Sequence, residues 1–335
     1  MHLTVSERGT FIQLKGERLQ FRIDGKLENE IALRDLETLT VTTTAASITL
    51  EAIKNCAKFG IQIDLLDFQG DPYAKITSPY LVGTVSTRRA QMMAYLDDKG
   101  LNIAKHAIRS RLRNQTNLLR YFGKYRREAN PETFAVIEES IPKFVHLETE
   151  LDEIQGINVD EVRDYLLGVE GRGGVVYWNA IAALLPTDLE FPGRLGRGAT
   201  DPVNVCLNYG YGILYAQAAG ALSTAGLEPY AGFLHTDRPG KPSLVLDFVE
   251  GFRASVVDRV IVATLGRGWR PSFKDGRLEP ETRKRIAEAV MTRLDARETH
   301  NGKQFRLKNI MVGQARNLAT YLRDESDLQI YIMSW

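Results

Sequence analysis

The chain has only two cysteines in 335 residues, Cys56 and Cys206. They make no disulfide framework and no zinc-ligand spacing. Both sit in apolar patterns, as packed thiols do. No apolar run is long enough to cross a bilayer, so no membrane partner is expected. The first residues, Met1-His2-Leu3-Thr4-Val5-Ser6-Glu7-Arg8, lack the apolar centre of a signal peptide. A cytoplasmic location is the expectation. A glycine-rich phosphate loop with its lysine is missing as well, which argues against nucleotide hydrolysis. There is no internal repeat and no low-complexity tail. Even net charge is nearly absent, at +1 from 43 basic and 42 acidic residues.

What is present is a globular composition, 44% hydrophobic and 25% charged. A length of 335 residues exceeds one ordinary core and predicts two domains. The charges are segregated. Residues 88–127 hold eleven Lys/Arg and two acids, 128–170 hold twelve acids and two bases, and 266–316 hold thirteen bases and six acids. Such blocks are either solvated helix faces that pair with one another or a path for nucleic acid. The sequence leaves both readings open.

Patterning predicts an α+β chain. Residues 1–83 read as a small β-rich domain and 84–335 as a larger helical one. Short strand-like runs fall at 3–5, 10–14, 19–23, 30–33 and 38–42, with Asp24-Gly25 as a two-residue hairpin signal. One helix around Leu50, Ile53 and Ala57 ends at Gly60, and a buried strand follows at 61–66. The turn Gln69-Gly70-Asp71-Pro72 comes next, and residues 78–86 read as a linker. Helices are predicted at 88–96, 101–122, 132–154 with a break at Pro142, 159–167, 175–184, 202–222, 242–265 and 279–294. The apolar stretch 329–335 is expected to dock.

Four residues carry the candidate chemistry. Glu170 lies in Leu167-Gly168-Val169-Glu170-Gly171-Arg172, and His235 in Gly232-Phe233-Leu234-His235-Thr236. Asp247 and Glu250 stand three apart on a predicted helix in Ser243-Leu244-Val245-Leu246-Asp247-Phe248-Val249-Glu250. An ionised group among apolar residues is costly unless paired. Each has an ordinary explanation: a helix-terminal acid beside Arg172, a hydrogen-bonded structural histidine, two acids in a first helical turn. One divalent cation would satisfy all four. Carboxylates suit Mg²⁺ or Mn²⁺, and an imidazole tilts the choice toward Mn²⁺. Arg172 and Arg253 either hold phosphate oxygens or pair with Glu170 and Glu250. Asn208, Tyr209 and Tyr211 either pack or contact a DNA end.

In order, Gly168-x-Glu170-Gly-Arg, Asp201-Pro202-Val203-Asn204, Leu207-Asn208-Tyr209-Gly210-Tyr211-Gly212, Gly232-Phe233-Leu234-His235 and Ser243-Leu244-Val245-Leu246-Asp247-x-x-Glu250 strongly resemble the CRISPR-associated integrase family Cas-one. Asn114-Gln115 and Gln314-Ala315-Arg316 fit as well. The resemblance covers nearly the whole chain. It implies a β-rich start before an all-helical catalytic domain, with Glu170, His235 and Asp247 as catalytic metal ligands and Glu250 at an additional acidic position. It implies a homodimer that works with a dimer of the small partner Cas-two in a larger complex, and leaves room for an auxiliary Cas nuclease. The implied reaction joins the 3′-hydroxyl of a short double-stranded pre-spacer to the CRISPR array by transesterification. Within the basic blocks, Arg109, Arg111 and Arg113 are the first candidates for DNA contact. The rival readings are a metal-dependent nuclease of branched DNA and a non-catalytic DNA-binding scaffold.

Overall fold

In the computed structural model, which describes residues 2–67, 70–78, 85–124, 126–196, 198–274 and 277–335, the chain opens with β1 (His2–Val5), β2 (Phe11–Lys15), β3 (Arg18–Ile23), β4 (Lys26–Ala32), β5 (Thr38–Val41) and β6 (Ser47–Ile48). Asp24 and Gly25 both take positive φ, 48° and 78°, the backbone of a hairpin turn that matches strand twist. Helix α1 (Leu50–Lys58) starts where the Thr49 side chain accepts the Ala52 N–H. Strands β7 (Gln62–Leu66) and β8 (Pro72–Ile76) follow. Two four-stranded sheets result, ordered β1-β5-β7-β8 and β4-β3-β2-β6. The sequence reading missed β8. Its side chains are mostly exposed, so no apolar alternation marks it. Gln69, most of the linker and the boundary expected at 83/84 lie outside the described residues. The buried apolar side chains form two cores, one between Val5 and Ile63 and one between Leu66 and Met333.

The second part holds α2 (Val85–Ala94), α3 (Asp98–Gly123), α4 (Arg126–Ala129), α5 (Pro131–Glu153), α6 (Val159–Leu184), α7 (Pro202–Thr224), α8 (Ser243–Val249), α9 (Arg259–Gly266), α10 (Pro280–Asp295) and α11 (Leu307–Leu322). Two short ribbons, β9–β10 (Phe273–Lys274, Arg277–Leu278) and β11–β12 (Arg297–His300, Lys303–Arg306), interrupt this otherwise helical part. Helix α11 was not predicted, although Ile310, Met311, Ala315, Leu318, Ala319 and Leu322 bury one helical stripe.

Three expectations need correction. The helix over 132–154 does not break at Pro142. That proline is exposed, and so is Glu138 one turn earlier, whose carbonyl loses its usual donor to solvent. The helices at 159–167 and 175–184 are one helix, α6; of its glycines Gly173 and Gly174 face a neighbour, Gly168 and Gly171 face outward, and none ends it. The helix over 242–265 is divided into α8, a wide π-helical turn at Ala254–Asp258, and α9. Such turns often sit at functional sites. The C-terminal stretch does dock. Asn114 donates to the Tyr331 carbonyl at 3.0 Å and accepts the Met333 N–H at 2.8 Å. Among the described residues, no helix is long and apolar enough to cross a membrane.

Candidate active site

Helices α3 and α6 approach closely because α6 presents glycine. A Cβ on Gly173 would lie 2.5 Å from Leu112 Cδ2, and one on Gly174 would lie 3.2 Å from Arg111 Nη2. The Arg111 guanidinium thus crosses α6 one turn beyond Glu170. Its Nη1 donates to Glu170 Oε1 and, at 2.7 Å, to Glu250 Oε2. The Glu250 side chain, just past α8, is 1% exposed, and that of Arg111 is 11% exposed. Arg253 adds a second cation, with Nη2 3.2 Å from Glu250 Oε1. Burial pushes the Glu250 carboxyl up, but Arg253 and Arg111 outweigh it and hold the group below the ordinary carboxylate value.

His235 and Asp247 form a second pair beside the first. Asp247 Oδ2 accepts the N–H groups of Phe233 and Leu234 at 2.6 and 3.0 Å. Its Oδ1 accepts the His235 N–H at 3.0 Å and lies 2.7 Å from His235 Nδ1. Four contacts sustain a carboxylate whose side chain is 2% exposed. The turn carrying His235 sits against the start of α8 because residue 232 is glycine; a Cβ there would be 2.6 Å from the Ser243 carbonyl carbon. Asp247 and Glu250 are one turn apart, and His235 is near enough to Glu250 to act on it electrostatically.

The four predicted residues are therefore brought together, but as two pairs. Among the described residues, no three His, Cys, Asp or Glu side chains converge as one ligand cluster. A guanidinium stands between Glu170 and Glu250, where the charge of a cation is needed. Three carboxylates and one imidazole are a donor set that fits Mg²⁺ or Mn²⁺.

A polar cavity of about 110 Å³ opens beside the pairs, lined by Arg111, Gln115, Arg194, Glu250, Arg253 and Asp258 among others. Tyr211 lies between two cations, with the Arg194 and Arg253 guanidinium carbons each 5.1 Å from its ring. Tyr211 and Tyr177 donate to Asp258 at 2.5 and 2.8 Å. Burial raises the Asp258 carboxyl despite these bonds. Asn208 accepts from Arg194 at 2.7 Å, and Tyr209 is fully buried in packing.

Arg172 does not pair with Glu170; it donates to Glu150 and to the Gly168 carbonyl. Arg109 pairs with Asp152, and Arg113 with Glu148 at 2.7 Å. At these positions the basic and acidic blocks pair across α3 and α5. Sequence reasoning missed Arg194, Asp258 and the role of Arg111 between the acids. Asp258, an acid ending the apolar run Ala254-Ser255-Val256-Val257, carried a readable signal. Arg111 carried none, because its partners are remote in sequence, and Arg194 carried none, because it lies in a loop with no periodic pattern.

Comparison with known proteins agrees with the motif order. A family profile described as CRISPR associated protein Cas1, the Cas-one of the motif resemblance, matches residues 3–292. The CRISPR-associated endonuclease Cas1 1 of Archaeoglobus fulgidus is 33% identical over 347 aligned positions, covering 100% of both chains. One of the same description from Francisella tularensis subsp. novicida is 28% identical and covers 100% of this chain and 99% of its own. Among solved structures, a casposase bound to integration product superposes with a TM-score of 0.82 at 24% identity, over 97% of this chain and 91% of its own. A chain of a Cas6-RT-Cas1–Cas2 complex gives 0.77 at 22% identity, over 99% of this chain and 36% of its own. A CAS1 protein from Thermotoga maritima gives 0.79 at 17% identity, over 99% and 100%.

Proposed function

The chain belongs to the CRISPR-associated protein Cas1 family, and we propose that Glu170, His235, Asp247 and Glu250 form the catalytic centre of its spacer-acquisition activity. The protein is a DNA endonuclease and integrase, as its endonuclease-named relatives and its likeness to a casposase bound to integration product support. Its partners are DNA and Cas2, a reading the Cas1–Cas2 complex among its structural neighbours supports. A homodimer that flanks a Cas2 dimer is part of this proposal, with an auxiliary Cas nuclease as a further partner.

A divalent ion, Mg²⁺ or Mn²⁺, held by Glu170, His235 and Asp247 with Glu250 beside them, would stabilise charge on the scissile phosphate and ease ionisation of the attacking hydroxyl. The chain's own residues supply the rest. Asp247 fixes the ring of His235. Arg253, anchored on Tyr215 Oη at 2.8 Å, and Arg194, anchored on Asn208, bring two guanidinium groups to phosphate oxygens. In the joining step a 3′-hydroxyl oxygen forms a bond to the array phosphorus, and the array's own 3′-oxygen leaves with a proton. Arg172, which is half-exposed and pairs with Glu150 at the surface, would contact the duplex.

One observation carries the reading: residues as far apart as Glu170 and Glu250 converge in a polar pocket rich in arginine. The test is strand transfer of a short duplex into array DNA by Glu170→Ala, His235→Ala and Asp247→Ala. Joining is expected to fall below detection in all three, and near-wild-type joining by any two would sink the assignment. Cleaved products without joined ones would identify the hydrolytic activity on branched DNA instead.

A further inference from the structure

Arg111 makes three observations into one question. Its single Nη1 bridges Glu170 and Glu250. Its Nε is buried without a hydrogen-bond partner, which is unusual for a guanidinium nitrogen in an interior. Its side chain borders the 110 Å³ cavity, where Arg253 Nε and Gln115 Oε1 also lack partners. The residue is thus committed on one side to two carboxylates and borders on the other a cavity lined with polar side chains.

Two adjacent carboxylates, Glu250 buried and Glu170 partly so, repel unless a cation lies between them. Arg111 supplies one positive charge. A divalent ion at Glu170 would supply two, and would then repel the guanidinium beside it. The cavity gives the long arginine side chain a place to turn, and a phosphodiester there would offer it a bidentate partner.

We propose that Arg111 is a built-in counter-cation: it holds Glu170 and Glu250 in the metal-free protein, yields them to the divalent ion, and turns its guanidinium to a phosphate in the adjoining cavity. The inference rests on the catalytic-centre reading above. Metal and phosphate then favour each other's binding through one side chain, and the effect is reciprocal. A protein without DNA would keep its acids paired, and one holding metal would present an additional arginine to the substrate.

The test is calorimetric binding of Mn²⁺ to the chelator-stripped full chain, with unfolding temperature read in parallel. Arg111→Gln is expected to bind Mn²⁺ about tenfold tighter than wild type, since charge-assisted bonds to both carboxylates no longer compete. Its metal-free form should melt earlier, and Mn²⁺ should raise its melting temperature more. In wild type, Mn²⁺ should tighten binding of inorganic phosphate, and Arg111→Gln should lose most of that coupling. Equal or weaker Mn²⁺ binding by Arg111→Gln overturns the proposal. Where that variant does not fold, a crystal structure of the wild type with Mn²⁺ decides: Arg111 should have left both carboxylates, and a retained bridge refutes the exchange. Glu170→Gln separates this from failure of the catalytic centre. If wild type binds no Mn²⁺, or Glu170→Gln binds it equally well, the ligand assignment itself is wrong.

Discussion

Asp247 shows how much one side chain can be asked to do. Its sequence neighbours mark it as a buried acid next to a helix start. In the fold it receives three backbone N–H groups of the turn 233–235 and orients the His235 ring. Removing it strands two buried donors and a partly buried third, each buried one worth about 1–3 kcal/mol when left unsatisfied. Asp247→Ala is therefore expected to lower stability by about 3 kcal/mol or more as it abolishes joining. Glu170→Ala should abolish joining with a far smaller stability loss, because Glu170 is more exposed and bonds only a side chain. Denaturant unfolding of the two variants checks this; equal stability would show that the turn does not depend on Asp247.

Among the elements, α6 carries the sharpest contrast between pattern and packing. Its glycines look like a helix end, yet the helix is continuous. Gly173 is pressed against Leu112, while Gly168 and Gly171 have nothing within 4 Å of an added Cβ. Gly168→Ala and Gly171→Ala should therefore stabilise the protein by up to about 1 kcal/mol each through helix propensity. Gly173→Ala gains the same propensity but must push α3 away, at a cost of about 1–3 kcal/mol. It should also displace Arg111 from Glu170 and slow joining. Melting temperatures of the three variants test the ranking, and a stabilising Gly173→Ala would show that α3 and α6 have slack. The π-helical turn after Glu250 belongs to the same scale. It interrupts the helix that the apolar pattern of 242–265 predicts, and it ends at Asp258, beneath Tyr177 and Tyr211.

At the scale of the whole molecule, His2 ties the first sheet to the helical part. Its Nδ1 lies 2.5 Å from Thr38 Oγ1, and its Nε2 lies 3.1 Å from Lys308 Nζ, at the start of α11. Burial, with Lys308 adding to it, pushes the imidazole from 6.5 down to about 4, against the pull of Asp295 and Glu37. Between those values the unfolded chain takes up a proton that the folded one refuses. Stability is thus complete above about 6.5 and declines as the pH falls toward about 4, by on the order of 3 kcal/mol. His2→Asn should flatten that slope in urea titrations at several pH values; an unchanged slope would place the acid sensitivity elsewhere. Much of the architecture is legible along the chain. The Asp24-Gly25 hairpin, the helix ending at Gly60, most of the long helices and the docked tail follow from turn chemistry, periodicity and apolar content, which act over a few residues. The order and types of the candidate ligands were equally plain, because motif spacing is a linear property. What linear spacing does not hold is which side chain from another element fills the gap between those ligands. That Arg111 bridges Glu170 and Glu250 and that the basic helix spends Arg109 and Arg113 on Asp152 and Glu148 was decided by the packing of α3 against α5, α6 and the end of α8, and that Arg194 faces Tyr211 by the loop before α7 folding back on it. Contacts between residues tens of positions apart depend on the distance and angle between helix axes, and those are fixed only when the cores close.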